Sequence, residues 1–387
     1  MQNSLKWCFN TFFGSIFNTF ITLISLVIFF FFINSVLGFI STSEWEVVKV
    51  NRRLLLIGRM PPEHEYRVWP ILWLTSYLIM ASIRTWGSPS YRDLLFISIG
   101  IAIVCIIFTT SSTYIWVLTS ILICIFSYVS TSFIVKNVTA NNTNKKILIL
   151  LWILLLPIIF SILLVGDGPK PTLWGGFLLN IILACIAIGF GFPLGILFAI
   201  GRASTLPAIK IVCTIYIETI RGAPLVAWLL LAWFVLPKFL PQFWGLNEIS
   251  VVVRAMIILS AFTSAYTAEV IRGGLQSIPK GQIEAADSLN LGYRNKMILI
   301  VLPQAIRVVI PALISTFIGV FKDTSLVFIL ALTDLLQVGR IIPEQDPEFF
   351  GRQLEALCVV AFLFWIISIS LSNLSKKVEK SLGIGIR

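Results

Sequence analysis

The residues able to do chemistry in this chain are few, and they lie almost wholly in its second half. Two acidic–basic pairs stand at i,i+3 spacing within or beside apolar stretches: Glu218/Arg221 and Glu269/Arg272. On a helix each pair shares a face, where opposite charges lower each other's cost of sitting in hydrocarbon. Such pairs serve either as a gate between helices that change position or as structural interfacial contacts, and the sequence leaves both readings open. Tyr266 opens the string that carries the second pair and is grouped with them as a candidate gate or path residue. A polar run, Lys322-Asp323-Thr324-Ser325, separates two apolar stretches. Polar backbone at that depth is tolerated where it lines a wet path or is buried in protein. A ligand carrying both an ammonium and a carboxylate would suit such a path; a re-entrant loop packed on a partner subunit is the alternative. The third group runs from Ser277 to Gly292. Pro279 suits a first helical turn, and Gln282 to Leu289 can form about two turns, with Ile283, Ala286 and Ala285, Leu289 close to one face. Asn290 and Gly292 can each take the left-handed conformation that stops a helix. A helix this short is marginal alone and is steadied by docking; a surface linker is the other reading.

Several chemistries lack their parts. His64 is the single histidine, and the six cysteines have no C-x-x-C spacing, so they read as small buried hydrophobes rather than disulfides or metal ligands. An integral membrane enzyme would need a cluster of catalytic groups that is missing here. No G-x-x-x-x-G-K-[ST] string is present, so any ATP would be bound by another chain. Gly189 and Gly191 form a Gly-x-Gly pattern without a strand–turn–helix context; Gly191 and Gly195 with Ala199 instead offer a small-residue helix face for close packing.

The elements that position these groups follow from composition. The chain has 387 residues, 58% hydrophobic and only 12% charged, with a mean hydropathy of +0.95. Its apolar blocks have membrane-spanning length, about 20 residues at about 1.5 Å rise each. The fold class is therefore all-α, a polytopic helical membrane protein. Ten spans are expected, near 17–40, 70–86, 93–110, 114–135, 147–165, 175–200, 212–236, 250–272, 299–321 and 356–374. The block from Thr11 to Ile40 is too long for a signal-peptide core and is expected to remain as a helix. Trp69, Trp73, Trp86 and Trp174 are expected at headgroup depth.

The net charge of +11 sits at the ends of apolar blocks without interleaved aromatics, which points to topology rather than to nucleic acid. Placing Lys145, Lys146, Arg272, Lys280, Arg294, Lys296, Lys376, Lys377 and Lys380 in the cytoplasm puts both termini there. One loop objects: residues 41–69 would lie outside, yet carry Lys49, Arg52, Arg53, Arg59 and Arg67. Texture divides the chain into an N-terminal transmembrane extension of about five helices (1–165), an external linker (166–174), a core of about five helices (175–376) and a cytoplasmic tail (377–387). The loop at 273–298 belongs to the core.

The string Glu284-Ala285-Ala286, followed after a gap by Ile300-Val301-Leu302-Pro303, resembles the EAA loop of bacterial ABC importer permeases. Tyr266-Thr-Ala-Glu-Val-Ile-Arg-Gly-Gly274, Pro303-Gln304-Ala305 with Pro311, Lys322-Asp323-Thr324-Ser325-Leu326 and Glu218-Thr-Ile-Arg-Gly-Ala-Pro224 are similar to strings of the histidine/glutamine, polar amino-acid branch. The resemblance covers about 175–376. The extra N-terminal helices, with Gly58-Arg59-Met60-Pro61-Pro62-Glu63, look like those of the long M-type permease of general L-amino acid systems. What the resemblance implies is a type I importer permease fold with additional N-terminal helices, in the bacterial inner membrane, importing amino acids. It further implies a second permease, a cytoplasmic ATPase dimer that holds ATP and Mg (with no cofactor in this chain), and a periplasmic amino-acid-binding protein. Gly281, Gln282, Glu284, Ala285, Ala286, Asp287, Asn290 and Gly292 would make up the coupling segment that sits on the ATPase. Where the EAA pattern places its glycine this chain has Asn290, with Gly292 two positions later. The rival is a secondary transporter driven by an ion gradient, which would be expected to show inverted repeats; none is evident between the halves.

Overall fold

In the computed structural model the residues described are 7, 9, 11–86, 122, 123, 125, 126, 129, 142–238 and 249–382. Their regular structure is helical throughout; among them the one extended pairing is an isolated bridge between Gly176 and Asp334. The helices are α1 (Ile16–Thr42), α2 (Glu46–Ile57), α3 (Val68–Trp86), α4 (Asn142–Leu164), α5 (Gly176–Arg202), α6 (Pro207–Gly222), α7 (Leu225–Phe234), α8 (Val251–Gln276), α9 (Lys280–Ser288), α10 (Tyr293–Lys296), α11 (Leu302–Asp323), α12 (Leu335–Gln345) and α13 (Gln353–Leu382).

Six helical stretches among the described residues are long and apolar enough to cross a membrane: Ile16–Thr42, Lys146–Leu164, Gly176–Arg202, Val251–Gln276, Tyr293–Leu330 and Gln353–Asn373. They occupy the first, fifth, sixth, eighth, ninth and tenth expected spans. The second is a helix, α3, but it is not one of these six; Thr75, Ser76, Tyr77, Ser82 and Arg84 dilute its apolar run. The third and fourth, 93–110 and 114–135, lie outside the described residues.

The seventh expected span, 212–236, is not one straight helix. It is a bent pair, with α6 and the helical stretch beginning at Leu225 turned by 98°. Pro224 supplies no N–H, and the residue before a proline avoids the helical region; Ala223 is accordingly extended, at φ −120° and ψ 149°. The freed carbonyls find partners. Trp228 donates its indole N–H to Ile220 O at 3.0 Å, and the Arg254 guanidinium donates to Ala232 O and Trp233 O, each at 3.2 Å, at the end of α7.

The chain divides into two compact units, Met1–Lys49 and Val50–Arg387. In the first, α1 is apolar on every side and none of its residues is buried, the pattern of a helix solvated by lipid. The second unit is built on the closest helix pair, α5 and α8. A Cβ at Gly191 would stand 2.6 Å from Thr263 Cβ, and one at Gly195 would stand 2.7 Å from Thr267 Cβ. The small-residue face thus lets the backbones approach as its spacing suggests. On α8 the facing residues Ser260, Thr263, Ser264 and Thr267 are all buried. Helices α3 and α4 belong to this same unit: Leu78, Ala81, Leu148, Leu155, Ile159 and Leu163 share a buried cluster with α5 residues including Leu178, Leu179, Ile182 and Leu183.

Three of the five cations of 41–69 have defined partners. Arg53 pairs with Glu65 at 3.0 Å, and Lys49 with Glu46 at 3.3 Å. Arg67 is buried and donates to Ile162 O at 2.8 Å and Val165 O at 2.6 Å, satisfying carbonyls at the end of α4 as basic side chains do at helix C-termini. Trp174, expected at headgroup depth, is fully buried in protein, with its indole N–H on Pro169 O at 3.2 Å. Among the described cysteines only Cys213 is buried, whereas Cys358 is exposed, because lipid-facing positions need no burial in protein to be apolar. Cys8, Cys105 and Cys124 lie outside the described residues.

Candidate functional site

The segment expected to dock is a helix, α9, two residues longer at its start than the spacing suggests. Pro279 precedes it rather than sitting in its first turn. Ala286 is buried, and Ile278, Val301 and Ala305 are buried in one cluster against which Leu275, Ile283 and Met297 pack. The opposite side is open: Gly281, Gln282, Glu284, Ala285 and Asp287 are exposed, and Leu289 is 73% exposed, so Ala286 and Leu289 face different surroundings. Asp287 is fixed by Lys296 at 2.6 Å, and Gln282 lies 3.5 Å from Gln304 Nε2.

The C-terminus of α9 explains the departure at Asn290. Leu291 N–H donates to Ala286 O at 3.1 Å and Asn290 N–H to Asp287 O at 2.9 Å, the two bonds of a Schellman closure. Asn290 carries the positive φ, 52°. Gly292 does not; at φ −59° it begins α10. Asn is among the few residues that adopt this region readily. Asn290→Gly should therefore leave thermal stability of the purified chain unchanged or slightly raised, while Asn290→Val should cost about 1–2 kcal/mol; equal melting temperatures for the two would refute the assignment.

Beyond α10 the chain makes a wide π turn, Met297–Val301, before α11. Pro303 has no N–H and its ring crowds the carbonyl four residues back, and a π turn is the local widening that accommodates this.

The two acidic–basic pairs do not act as separate pairs. Glu269 and Arg272 do pair within α8, with Arg272 Nε 3.0 Å from the carboxylate. Glu218 instead takes Arg202 at 2.7 Å, and Arg221 reaches Glu269 at 3.5 Å. Arg202 also reaches Glu269 at 3.3 Å. Glu269 is thus shared by three guanidiniums from α5, α6 and α8, and Arg202 joins both carboxylates. Arg221 also lies 5.5 Å from the ring centre of Tyr266. The intrahelical pairing expected for Glu218/Arg221 gives way because the bend after Gly222 and the close α5–α8 contact bring a third helix within reach. Arg202 was missed because, at the end of an apolar block, it reads as a topology marker.

At the other end of α5, about 33 Å from Arg202 along the helix, the polar run divides. Lys322 is exposed, Asp323 and Ser325 are half-buried, and Thr324 is fully buried. The helix does not stop at this run: α11 tightens directly into a 3₁₀ stretch, Thr324–Leu330. Ser325 Oγ donates back to Lys322 O at 2.8 Å. Thr324 Oγ1 receives Asn180 Nδ2 at 3.0 Å, while Asn180 Oδ1 receives Leu335 N–H at 2.9 Å. Asp334 caps α12 through Gln337 and Leu336 N–H groups at 3.2 and 3.1 Å. Burial pushes its carboxyl up to about 6, against the lowering effect of those bonds and of Asn180. Asn180 was overlooked as one polar residue in an apolar run; Thr333-Asp334 ahead of two leucines was a legible cap signal.

Residues 191–383 match the family described as the binding-protein-dependent transport system inner membrane component. The glutamate/aspartate import permease protein GltK of Escherichia coli is 35% identical over 213 residues, covering 54% of this chain and 93% of that protein. The chain belongs to this permease family. The inner membrane amino-acid ABC transporter permease protein YhdY of Escherichia coli is 39% identical over 239 residues, which is 60% of this chain and 64% of YhdY. The permease therefore spans just under two thirds of that relative's length. A crystal structure of an amino acid ABC transporter with histidines aligns at 32% identity and a TM-score of 0.47, over 53% of this chain and 92% of that one. Membership of this transport family agrees with the non-catalytic, multi-pass inner-membrane reading and leaves the ion-gradient alternative without support.

Proposed function

We propose that the chain is the membrane-spanning permease subunit of an ATP-driven importer for amino acids, coupled through α9 to a separate ATPase subunit that binds ATP and Mg. The observation that carries this is α9 itself: a helix anchored through Ile283 on the cluster of Ile278, Val301 and Ala305, with the Gly281, Gln282, Glu284, Ala285 face open. Force on that face is transmitted to α8 through Ile278 and Leu275 and to α11 through Val301 and Ala305. Glu269 lies seven residues before the end of α8, about 11 Å along the helix, so the shared ion cluster lies within reach of such a movement. We assign that cluster as an inner gate, with Lys322, Asp323 and Ser325 as candidates for the path and Thr324 as their anchor. Both termini and the α9 end lie in the cytoplasm in this reading. A second permease faces the exposed apolar side of α6, where Ile209, Val212 and Ile215 have no cover, and a periplasmic binding protein supplies the amino acid.

The test is purification of the tagged chain in mild detergent, with and without Glu284→Arg. An ATPase and a second permease should accompany the native chain, and the substitution should release the ATPase alone, by at least roughly tenfold as expected for an unpaired like or buried charge at a contact. A chain that emerges alone from both preparations would remove the reading.

A further inference from the structure

GltK is aligned over 93% of its own length by 54% of this chain, so nearly half of this permease has no counterpart there. Residues 50–69, ahead of the family match, pack on the core through Ile57, Met60 and Val68, and at Gly58 backbone meets backbone. Gly58 has φ +62°, and a Cβ on it would stand 2.3 Å from Gly175 Cα. Gly176 has φ +55°, and a Cβ there would stand 2.5 Å from Leu55 O; one on Gly175 would stand 2.6 Å from Thr333 O. Three segments therefore stack with no side chain between them, and only glycine fits. The contact continues inward as hydrogen bonds. Gly176 N–H donates to Thr333 O at 2.7 Å, Leu335 N–H donates to Asn180, and Asn180 donates to Thr324. Arg67, on the carbonyls that end α4, fixes the far end of the same segment.

We propose that residues 50–69 are a brace for the path, in which Gly58 is a positioning residue that sets the Thr333–Asp334 turn and, through Asn180, the orientation of Thr324. The alternative is that the extension only fills space around α5, in which case disturbing Gly58 affects yield alone. The physical argument favours positioning. A side chain on Gly58 displaces Gly175 by more than 1 Å, since carbon atoms approach to about 3.5 Å, and Gly175 sits directly on Thr333 O.

The experiment compares the native complex with its Gly58→Ala and Gly58→Val forms, full-length and with all co-purifying subunits. Two readouts are needed: hydrogen exchange at the Gly176 and Leu335 amides, and uptake of a radiolabelled L-amino acid mixture into vesicles per ATP hydrolysed. This second readout rests on the importer reading; the first does not. Expected are faster exchange at both amides, graded Ala then Val, and a roughly five- to tenfold fall in uptake per ATP with the ATPase still bound. Native exchange at both amides in both variants overturns the proposal, as does faster exchange with undiminished uptake per ATP hydrolysed. If the native complex carries no amino acid, the transport reading fails and the exchange result alone decides the brace. Should Gly58→Val fail to assemble, the Gly58→Ala comparison supplies the same two measurements.

Discussion

Replacing Gly195 by valine is expected to abolish recovery of assembled permease. The added Cβ would sit 2.7 Å from Thr267 Cβ and 2.9 Å from Ser264 O, so relief requires α5 and α8 to separate rather than a side chain to swing aside. Overpacking of this kind costs about 3 kcal/mol or more, against a total stability of roughly 5–15 kcal/mol for a folded domain. The contact sits in the middle of the closest helix pair, so its loss reaches the Glu269 cluster two residues beyond Thr267. Size-exclusion profiles of the detergent-solubilised variant, compared with Gly222→Val where a Cβ would meet nothing within 4 Å, check this. A monodisperse Gly195→Val peak of native height would refute the close-packing account.

Glu269→Ala is expected to have the second largest effect, and a different one. It leaves Arg202, Arg221 and Arg272 facing one another without the carboxylate they share. The Glu269 side chain is 23% exposed, so the cost lies between that of an exposed pair and that of a broken buried pair, about 2–3 kcal/mol. In the gate reading, α6 is then repelled from α5 and α8, and basal ATP hydrolysis by the complex rises together with a fall in melting temperature. Glu218→Ala removes a carboxylate that is 55% exposed; it should raise basal hydrolysis with little change in melting. If Glu269→Ala lowers the melting temperature and leaves hydrolysis unaltered, the cluster is a structural contact and the gate reading is lost.

The features that were legible in the sequence are those whose cause is local. Pro279 and Asn290 punctuate α9 because backbone dihedrals are decided by the residue itself. Gly191, Gly195 and Ala199 mark a packing face because their spacing alone brings them to one side of a helix. The features that escaped depend on partners distant along the chain. Arg202 gives the same local signal whether it marks a membrane boundary or joins Glu218 to Glu269. Asn180 is a blemish in an apolar run until Thr324 and Leu335, 144 and 155 residues away, are beside it. Pro224 was visible, but apolar residues on both sides invited a single continuous span; hydropathy averages over a bend that a proline makes sharp.

Arg67 has a consequence for biogenesis. The carbonyl of Ile162 that receives its guanidinium is 95 residues further along the chain. At a synthesis rate of roughly 5–20 residues per second, about 5–20 s separate the arginine from its acceptor. During that interval Arg67 lacks these carbonyl acceptors, with Glu63 and Glu65 as its nearest acidic neighbours in sequence. Its capture by the end of α4 is thus a late event, and one that joins the start of α3 to the end of α4 only as the linker at 166–174 is being made.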